Sequence, residues 1–316
     1  MDSPASRPAQ SAAPDRSPRG VEPSPSPPDA ACPWESVTLS VSGFGGTRAI
    51  GRVLEDWFEF LGGRPGEVVY VDGGSGPGTV RALCGLVRAG VIDRLQLLNP
   101  NSWENDFHRC YIQEHDSGAL ARRPYIVFVK PDVLPRRRGH GHWLSRDMAV
   151  LDDPGVFAVT MTHLVDPPSG RRDGYDVHDF ASLNFSLMKR SSFHEAVHSR
   201  IGAFIDGGFR GEYPAGIDCQ EKYRRALIEW AWRDHCRERG LVTLARPESH
   251  DWMIFHINKS GRKLLSLRRR MHAGEDVERH FNRPKGLYRP QPRGLSRLGR
   301  AIEGVVRSLR GKQRGA

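Results

Sequence analysis

A short apolar run at residues 68–71 ends in Asp72 and passes at once into Gly73, Gly74, Ser75, Gly76, Pro77 and Gly78, before a helix-patterned segment begins at Thr79. A buried strand that stops at an acid and turns through glycines into a helix is a unit of the open α/β sheet. Such sheets bind ligands outside the carboxyl ends of their strands. An aspartate there can accept hydrogen bonds from a ribose or a base, and the glycines let backbone approach a ligand closely. The same residues also make an ordinary strand-to-helix turn, with Asp or Ser as a cap. Neither a G-x-G-x-x-G fingerprint nor a G-x-x-x-x-G-K-[ST] phosphate loop is present.

The neighbouring segments extend that unit. Residues 37–41 read as a first strand, with Gly43, Gly45 and Gly46 as its turn. The stretch 49–61 carries Ile50, Val53, Leu54, Trp57 and Leu61 at helical spacing, and 79–89 does the same with Val80, Leu83, Leu86 and Val87. Strands are predicted at 95–98, 125–129, 157–161 and 182–188, a polar Gly-rich loop at 166–176, and a long helix at 221–238. The alternation predicts an α/β domain over 33–258 with a mostly parallel sheet flanked by helices.

Composition shifts at both ends of this domain. Residues 1–32 hold eight of the 23 prolines and no apolar periodicity. They read as a disordered leader, with too little apolar surface to offset conformational entropy, and they lack the basic-then-apolar pattern of a secretory signal. Residues 259–316 read as a basic helical tail. From Arg262 onward there are 16 Lys/Arg against four Asp/Glu, a surplus of 12, whereas the whole chain carries +10. The body is therefore near neutral, which argues against a uniformly basic nucleic-acid-binding domain. In the tail, Leu295, Leu298, Ile302, Val305, Val306 and Leu309 share a helical face interspersed with Arg297, Arg300, Arg307 and Arg310. That pattern fits a solvated helix, or peripheral contact of 293–314 with an anionic membrane surface. Nucleic-acid contact comes third, because aromatic residues are sparse there. The five cysteines are odd in number and form no C-x-x-C pair, and no run of about 18 apolar residues occurs, which together suit a reduced, cytoplasmic protein.

Two further stretches offer chemistry. R-P-Y-I-V-F-V-K-P-D-V-L-P at 123–135 ends a buried strand in Lys130 and Asp132. A carboxylate so placed suits a hard divalent cation that also takes diphosphate oxygens, although a surface turn acid looks the same. S-H-D-W-M-I-F-H-I-N at 249–258 offers His250, Asp251 and His256. The two histidines are six apart, so one strand would put both on one face. Neutral imidazoles suit Mn²⁺, and structural histidines are the plainer reading. His163 reads as structural or acceptor-side.

V-T-L-S-V-S-G-F at 37–44, V-D-G-G-S at 71–75 and F-V-K-P-D-V-L-P at 128–135, with Gly118 and Ala121 ahead of the last strand, together resemble the family 2 inverting glycosyltransferases with a GT-A fold. The resemblance spans roughly 37–257. It implies transfer of a single sugar from a nucleotide-sugar donor to a hydroxyl acceptor on a polysaccharide, a lipid-linked or another glycan. It implies that Asp72, Gly73 and Ser75 meet the nucleoside, that Lys130 and Asp132 meet the diphosphate, and that a divalent cation (Mn²⁺ or Mg²⁺) is held by Asp132 with a late histidine, His250 or His256. Inversion needs a carboxylate to take the acceptor proton. Asp218 takes the second position of the family's E-D pair, with Ile217 replacing the Glu; Glu221 and then Glu212 are the fallbacks. The block at 180–193 resembles the acceptor-proximal strand, with Asn184 and Ser186 lining the pocket. The sequence departs from the pattern at Lys130, which stands at the first acid of D-x-D, and at Pro77, where an acid usually follows D-G-S. The Q-x-x-R-W element of processive enzymes is missing, and Glu229-Trp230 only echoes it. Two rival readings stay open: a nucleotidyltransferase, whose basic loop after the first strand is represented by Arg48 alone, and a non-catalytic nucleotide-sugar-binding protein, which Lys130 and Pro77 would suit.

Overall fold

The structure is a computed structural model and describes residues 32–45, 49–98, 106–161, 167–206, 228–247, 249, 251–256 and 261–275. In chain order the first half holds β1 (Val37–Gly43), α1 (Ile50–Leu61), β2 (Glu67–Asp72), α2 (Pro77–Arg88), β3 (Arg94–Leu97), α3 (Asp106–Ala119), β4 (Tyr125–Val129), β5 (Val133–Arg137) and α4 (Trp143–Val150). The second half holds β6 (Val156–Thr160), β7 (Gly170–Arg172), β8 (Tyr175–His178), β9 (Phe185–Lys189), α5 (Arg190–Asp206), α6 (Ile228–Arg239), β10 (Val242–Ala245), β11 (Trp252–His256) and α7 (Gly261–His272).

Nine strands form one sheet in the order β3-β2-β1-β4-β9-β6-β10-β8-β7, and β5 pairs with β11 in a second, two-stranded sheet. β3, β2, β1 and β4 are parallel neighbours. β9 enters antiparallel between β4 and β6, β10 returns parallel to β6, and the β8–β7 hairpin closes the edge. Seven of the nine strands therefore run the same way. This is the mostly parallel α/β architecture with flanking helices that the sequence alternation predicts.

Period-two patterning explains the two layers. On β4, Val127 and Val129 join the core beneath α1, while Ile126 and Phe128 face the other way into the core made with α5 and α6. β1 does the same with a chemical difference: Val37, Leu39 and Val41 are apolar, but Thr38, Ser40 and Ser42 are buried hydroxyls. The small side chains admit α3, whose Ser117 hydroxyl accepts a hydrogen bond from Ser40 Oγ at 2.8 Å. α1 stops at Gly62, whose φ of 95° is the left-handed cap that glycine reaches without steric cost. Its Trp57 and Phe60 pack with Trp143 of α4, Phe185 of β9 and Trp252 of β11, tying the small sheet to the body. α7 buries Leu264 and Met271 in the same core.

The structure corrects the reading of 166–176 as a loop. Residues 170–178 form the β7–β8 hairpin, turning through Asp173 (φ 50°) and Gly174 (φ 83°). Asp-Gly is the residue pair that a tight hairpin turn with two positive φ angles prefers. The strand expected at 182–188 starts at Phe185, because a turn closed by the Phe185 N–H on the Ser182 carbonyl (3.2 Å) precedes it. Of the helix expected at 221–238, the described part is α6. The leader at 1–32, apart from Cys32, and the basic segment 293–314 lie outside the described residues.

Candidate active site

The carboxyl ends of β1, β2 and β4 lie side by side, and glycine lets them close up. A Cβ on Gly43 would sit 2.5 Å from both Pro131 Cγ, just after β4, and the Tyr70 hydroxyl on β2. A Cβ on Gly73 would sit 2.5 Å from Gln113 Oε1 on α3. The Gly73 N–H donates to the Gly43 carbonyl at 2.8 Å, joining the turns that leave β1 and β2.

Asp72 is 1% exposed at the tip of β2. Its Oδ2 accepts the N–H groups of Gly74 at 3.1 Å and Ser75 at 2.7 Å, and its Oδ1 accepts the Ser75 hydroxyl at 2.5 Å. Ser75 Oγ accepts the Gly45 N–H at 2.7 Å. The capping geometry considered for this turn is thus formed, and Asp72 sets the shape of the loop bordering the crevice. Beside it, the Tyr70 hydroxyl and Gln113 Oε1 are buried atoms without a hydrogen-bond partner among the described residues. Burial first, and then the charge of Asp72, push the Tyr70 phenol far above its ordinary range, so it stays a neutral O–H group.

Lys130 follows β4, and its Nζ pairs with Glu114 of α3, a carboxylate 2% exposed. Glu229 stands in the first turn of α6, and its Oε1 accepts the Leu183 N–H at 2.8 Å. Burial, and next the charge of Glu114, push the Glu229 carboxyl above the usual carboxylate range, while the Leu183 N–H, Lys130 and the Ser182 side chain pull it back. One cation and two carboxylates therefore interact at this end of β4.

Asp132 Oδ2 lies 3.4 Å from His256 Nε2. The antiparallel pairing of β5 with β11 brings them together, since it sets His256 opposite Val133. Two ligands held about 2.1 Å from one ion at right angles are about 3 Å apart, so this pair fits adjacent positions of a divalent-cation shell. A carboxylate with an imidazole suits Mn²⁺. Among the described residues, no group of three or more His, Cys, Asp or Glu is arranged to hold a metal. His163, His250, Asp218, Glu221 and Glu212 lie outside the described residues. Ser186 is fully buried, with its Oγ 2.7 Å from the Ser182 carbonyl oxygen and 3.1 Å from Thr160 Oγ1, which makes it part of the interior. Asn184 sits partly exposed in the turn before β9.

Tyr70, Gln113 and Glu114 belong to no motif in the sequence, and Glu229 stands there only in the Glu229-Trp230 echo. In sequence Glu229 falls inside the helix expected at 221–238, so local patterning gives it no distinction; its place beside Glu114 and Lys130 does.

No protein-family model matches the chain, and no curated protein matches it. Several solved structures are similar. One is the mannosyltransferase PcManGT from Pyrobaculum calidifontis in complex with GDP-Man and Mn²⁺, 17% identical over 75% of this chain and 61% of that one, with a TM-score of 0.42. Another is mannosyl-3-phosphoglycerate synthase from Rubrobacter xylanophilus, 14% identical over 65% of this chain and 75% of that one, with a TM-score of 0.33. A third is S. aureus TarS, 12% identical over 51% of this chain and 29% of that one, with a TM-score of 0.34. The chain spans less than two thirds of PcManGT and of TarS. Likenesses of this size assign no activity.

Proposed function

We propose that this chain is a family 2-like glycosyltransferase that moves one sugar from a nucleotide-sugar to a hydroxyl acceptor with inversion. The observation that carries the reading is the Asp132–His256 pair, 3.4 Å apart and two residues beyond Lys130, at the carboxyl end of β4. The Asp72 loop lies two strand spacings away across β1, about 9.5 Å, a span that suits a nucleoside at one end and its diphosphate at the other. Asp72, Gly73 and Ser75 would border the nucleoside, and Lys130 would contact the diphosphate. Asp132 and His256, with His250, would hold a divalent cation, which neutralises charge on the departing nucleoside diphosphate.

The reaction needs a carboxylate to take the acceptor proton as its oxygen bonds to the anomeric carbon and the diphosphate leaves. Glu229 suits that task because its raised proton affinity and its place near Lys130 belong to one site. Asp218 and Glu221 are the candidates that the family resemblance offers. Asp218→Asn, Glu221→Gln and Glu229→Gln separate the three: the base is the one whose variant binds donor but transfers no sugar.

Calorimetry with UDP, GDP and dTDP, with and without Mn²⁺, tests the site. One nucleotide should bind in a Mn²⁺-dependent way, and Asp132→Ala or His256→Ala should weaken that part by about tenfold or more. Undiminished Mn²⁺-dependent binding in both variants removes the cation from this pair. The Lys130–Glu114 pair also favours a second reading, a protein that binds nucleotide-sugars without turning them over. Binding with no sugar consumed in the presence of candidate acceptors would select it.

No helix among the described residues is long and apolar enough to cross a membrane. We assign the protein to the cytoplasm, with 293–314 as a peripheral contact to an anionic membrane carrying a lipid-linked acceptor, on the strength of that segment's basic and apolar residues. Co-sedimentation with anionic vesicles that is unaffected by deleting 293–314 would remove this part.

A further inference from the structure

The amino ends of the strands hold a second cleft, at the far end of the sheet from Asp72. Gly66 and Glu67 at the start of β2, Asp93 and Arg94 at the start of β3, and Arg122 and Arg123 ahead of β4 line a cavity of about 410 Å³. That volume falls among small-molecule sites, roughly 300–1,000 Å³. The length of β2 puts it about 17 Å from the Asp72 loop.

The charges around it do not cancel. Arg64 grips Asp93 with contacts of 2.7 and 2.8 Å. Arg94 stands 3.7 Å from Glu67, whose other oxygen accepts the Thr38 hydroxyl at 2.7 Å and the Arg122 backbone N–H at 2.8 Å. Three guanidinium groups and two carboxylates line the cleft, and Arg64, outside the lining, offsets Asp93 while Arg94 offsets Glu67, so Arg122 and Arg123 remain as a surplus of two positive charges. Helix ends explain part of the gathering: Arg64 donates to the Gly90 carbonyl after α2, and Arg94 to the Leu120 carbonyl after α3, as basic residues commonly do at helix carboxyl termini. That account does not extend to the other two. Arg123 donates twice to the single Gly66 carbonyl, and the Arg122 guanidinium makes no hydrogen bond or ion pair among the described residues.

We propose that this cleft is a binding site for a dianionic phosphoryl group, carried by a phosphomonoester, with Arg122 and Arg123 as its principal contacts. Planar guanidinium forks match phosphate oxygens in pairs, and two surplus charges match a phosphate dianion. The organic part of the ester would fill the rest of the cavity. The ester comes from one of two sources, a soluble sugar phosphate or a lipid phosphate headgroup.

The test is calorimetry on the full chain with inorganic phosphate, glucose 6-phosphate and glucose, together with binding to phosphatidic-acid vesicles. Wild-type protein should bind inorganic phosphate saturably and at least one ester more tightly, and should ignore glucose. Whichever ester binds more tightly, the soluble one or the vesicle, names the source. Arg122→Ser should weaken phosphate binding by about tenfold or more without changing the melting temperature, since its guanidinium holds nothing in the fold. Arg123→Ser, made separately, should weaken it as well. Arg171→Ala, an exposed arginine on β7 at the other edge of the sheet, should bind phosphate as wild type does. Absence of saturable phosphate binding, wild-type affinity in both arginine variants, or an equal loss in Arg171→Ala would each overturn the proposal.

Discussion

Glu229 shows how much a residue's meaning depends on what folds against it. In sequence it is one acid inside the helix expected at 221–238; in the fold it shares the end of β4 with Glu114 and Lys130. Its raised carboxyl affinity has a thermodynamic consequence. Between the ordinary carboxylate value and the folded value, the native state binds more protons at this site than the unfolded chain does. Stability contributed by Glu229 is therefore full at low pH and is lost as pH rises from about 4.5 through the folded value. Glu229→Gln removes that titration while keeping an oxygen for the Leu183 N–H. Urea unfolding should find the variant close to wild type near pH 4.5 and more stable than wild type at pH 7.5. If Glu229 is the base, the same change should lower sugar transfer by about 10²–10⁴-fold. A gap in stability that stays constant with pH would show that Glu229 is not shifted.

At the scale of elements, packing can reverse an intrinsic preference, and Gly118 on α3 is the clearest place. Gly→Ala in a helix ordinarily stabilises by about 1 kcal/mol. Here the added Cβ would press on the Phe193 ring and stand 2.8 Å from Phe128 Cζ, where α3 meets β4 and α5. Both rings are buried and have little room to give. Gly118→Ala should therefore destabilise by about 1–3 kcal/mol, read as a lower melting temperature. A rise in melting temperature would mean that the rings yield. The same element shows what the sequence made legible. Strand ends could be read because apolar runs stop sharply, so β1, β2, β4 and β6 fell within a residue or two of their expected places, and Asp72 and Asp132 with them. α3 was missed because its described face is polar, with Gln113, Glu114 and Ser117 buried by tertiary contact instead of by apolar spacing. β5 carries no apolar alternation at Pro135, Arg136 and Arg137, and 249–258 was a strand only as the condition for aligning two histidines; their pairing, about 120 residues apart, makes both strands. The meeting of Asp132 with His256 follows from that pairing, which local patterning does not contain.

For the whole molecule, the question is where the body ends and the basic tail begins. Net charge changes character near Arg262, yet α7 is built into the core through Leu264 and Met271. Its most specific link is polar. Asp56 on α1 is 4% exposed, and its two oxygens accept Arg268 Nε and Nη2 at 2.6 Å each, with His272 Nε2 3.0 Å from Oδ1. A buried carboxylate tolerates its position only while such partners hold it, and stranding one member of a buried pair costs about 3–5 kcal/mol. Arg268 is itself partly exposed, and His272 remains as a second partner, so the expected loss for Arg268→Ala lies at or below the lower end, about 2–3 kcal/mol. Chemical denaturation should show that loss as a lower midpoint in a single transition, because α7 shares the core of α1. Asp56→Asn combined with Arg268→Ala should cost less than Arg268→Ala alone, since no charge is then left without its partner. A first transition that removes α7 while the sheet stays folded would instead make α7 the beginning of a separable tail, carried by the folded body without being needed for it.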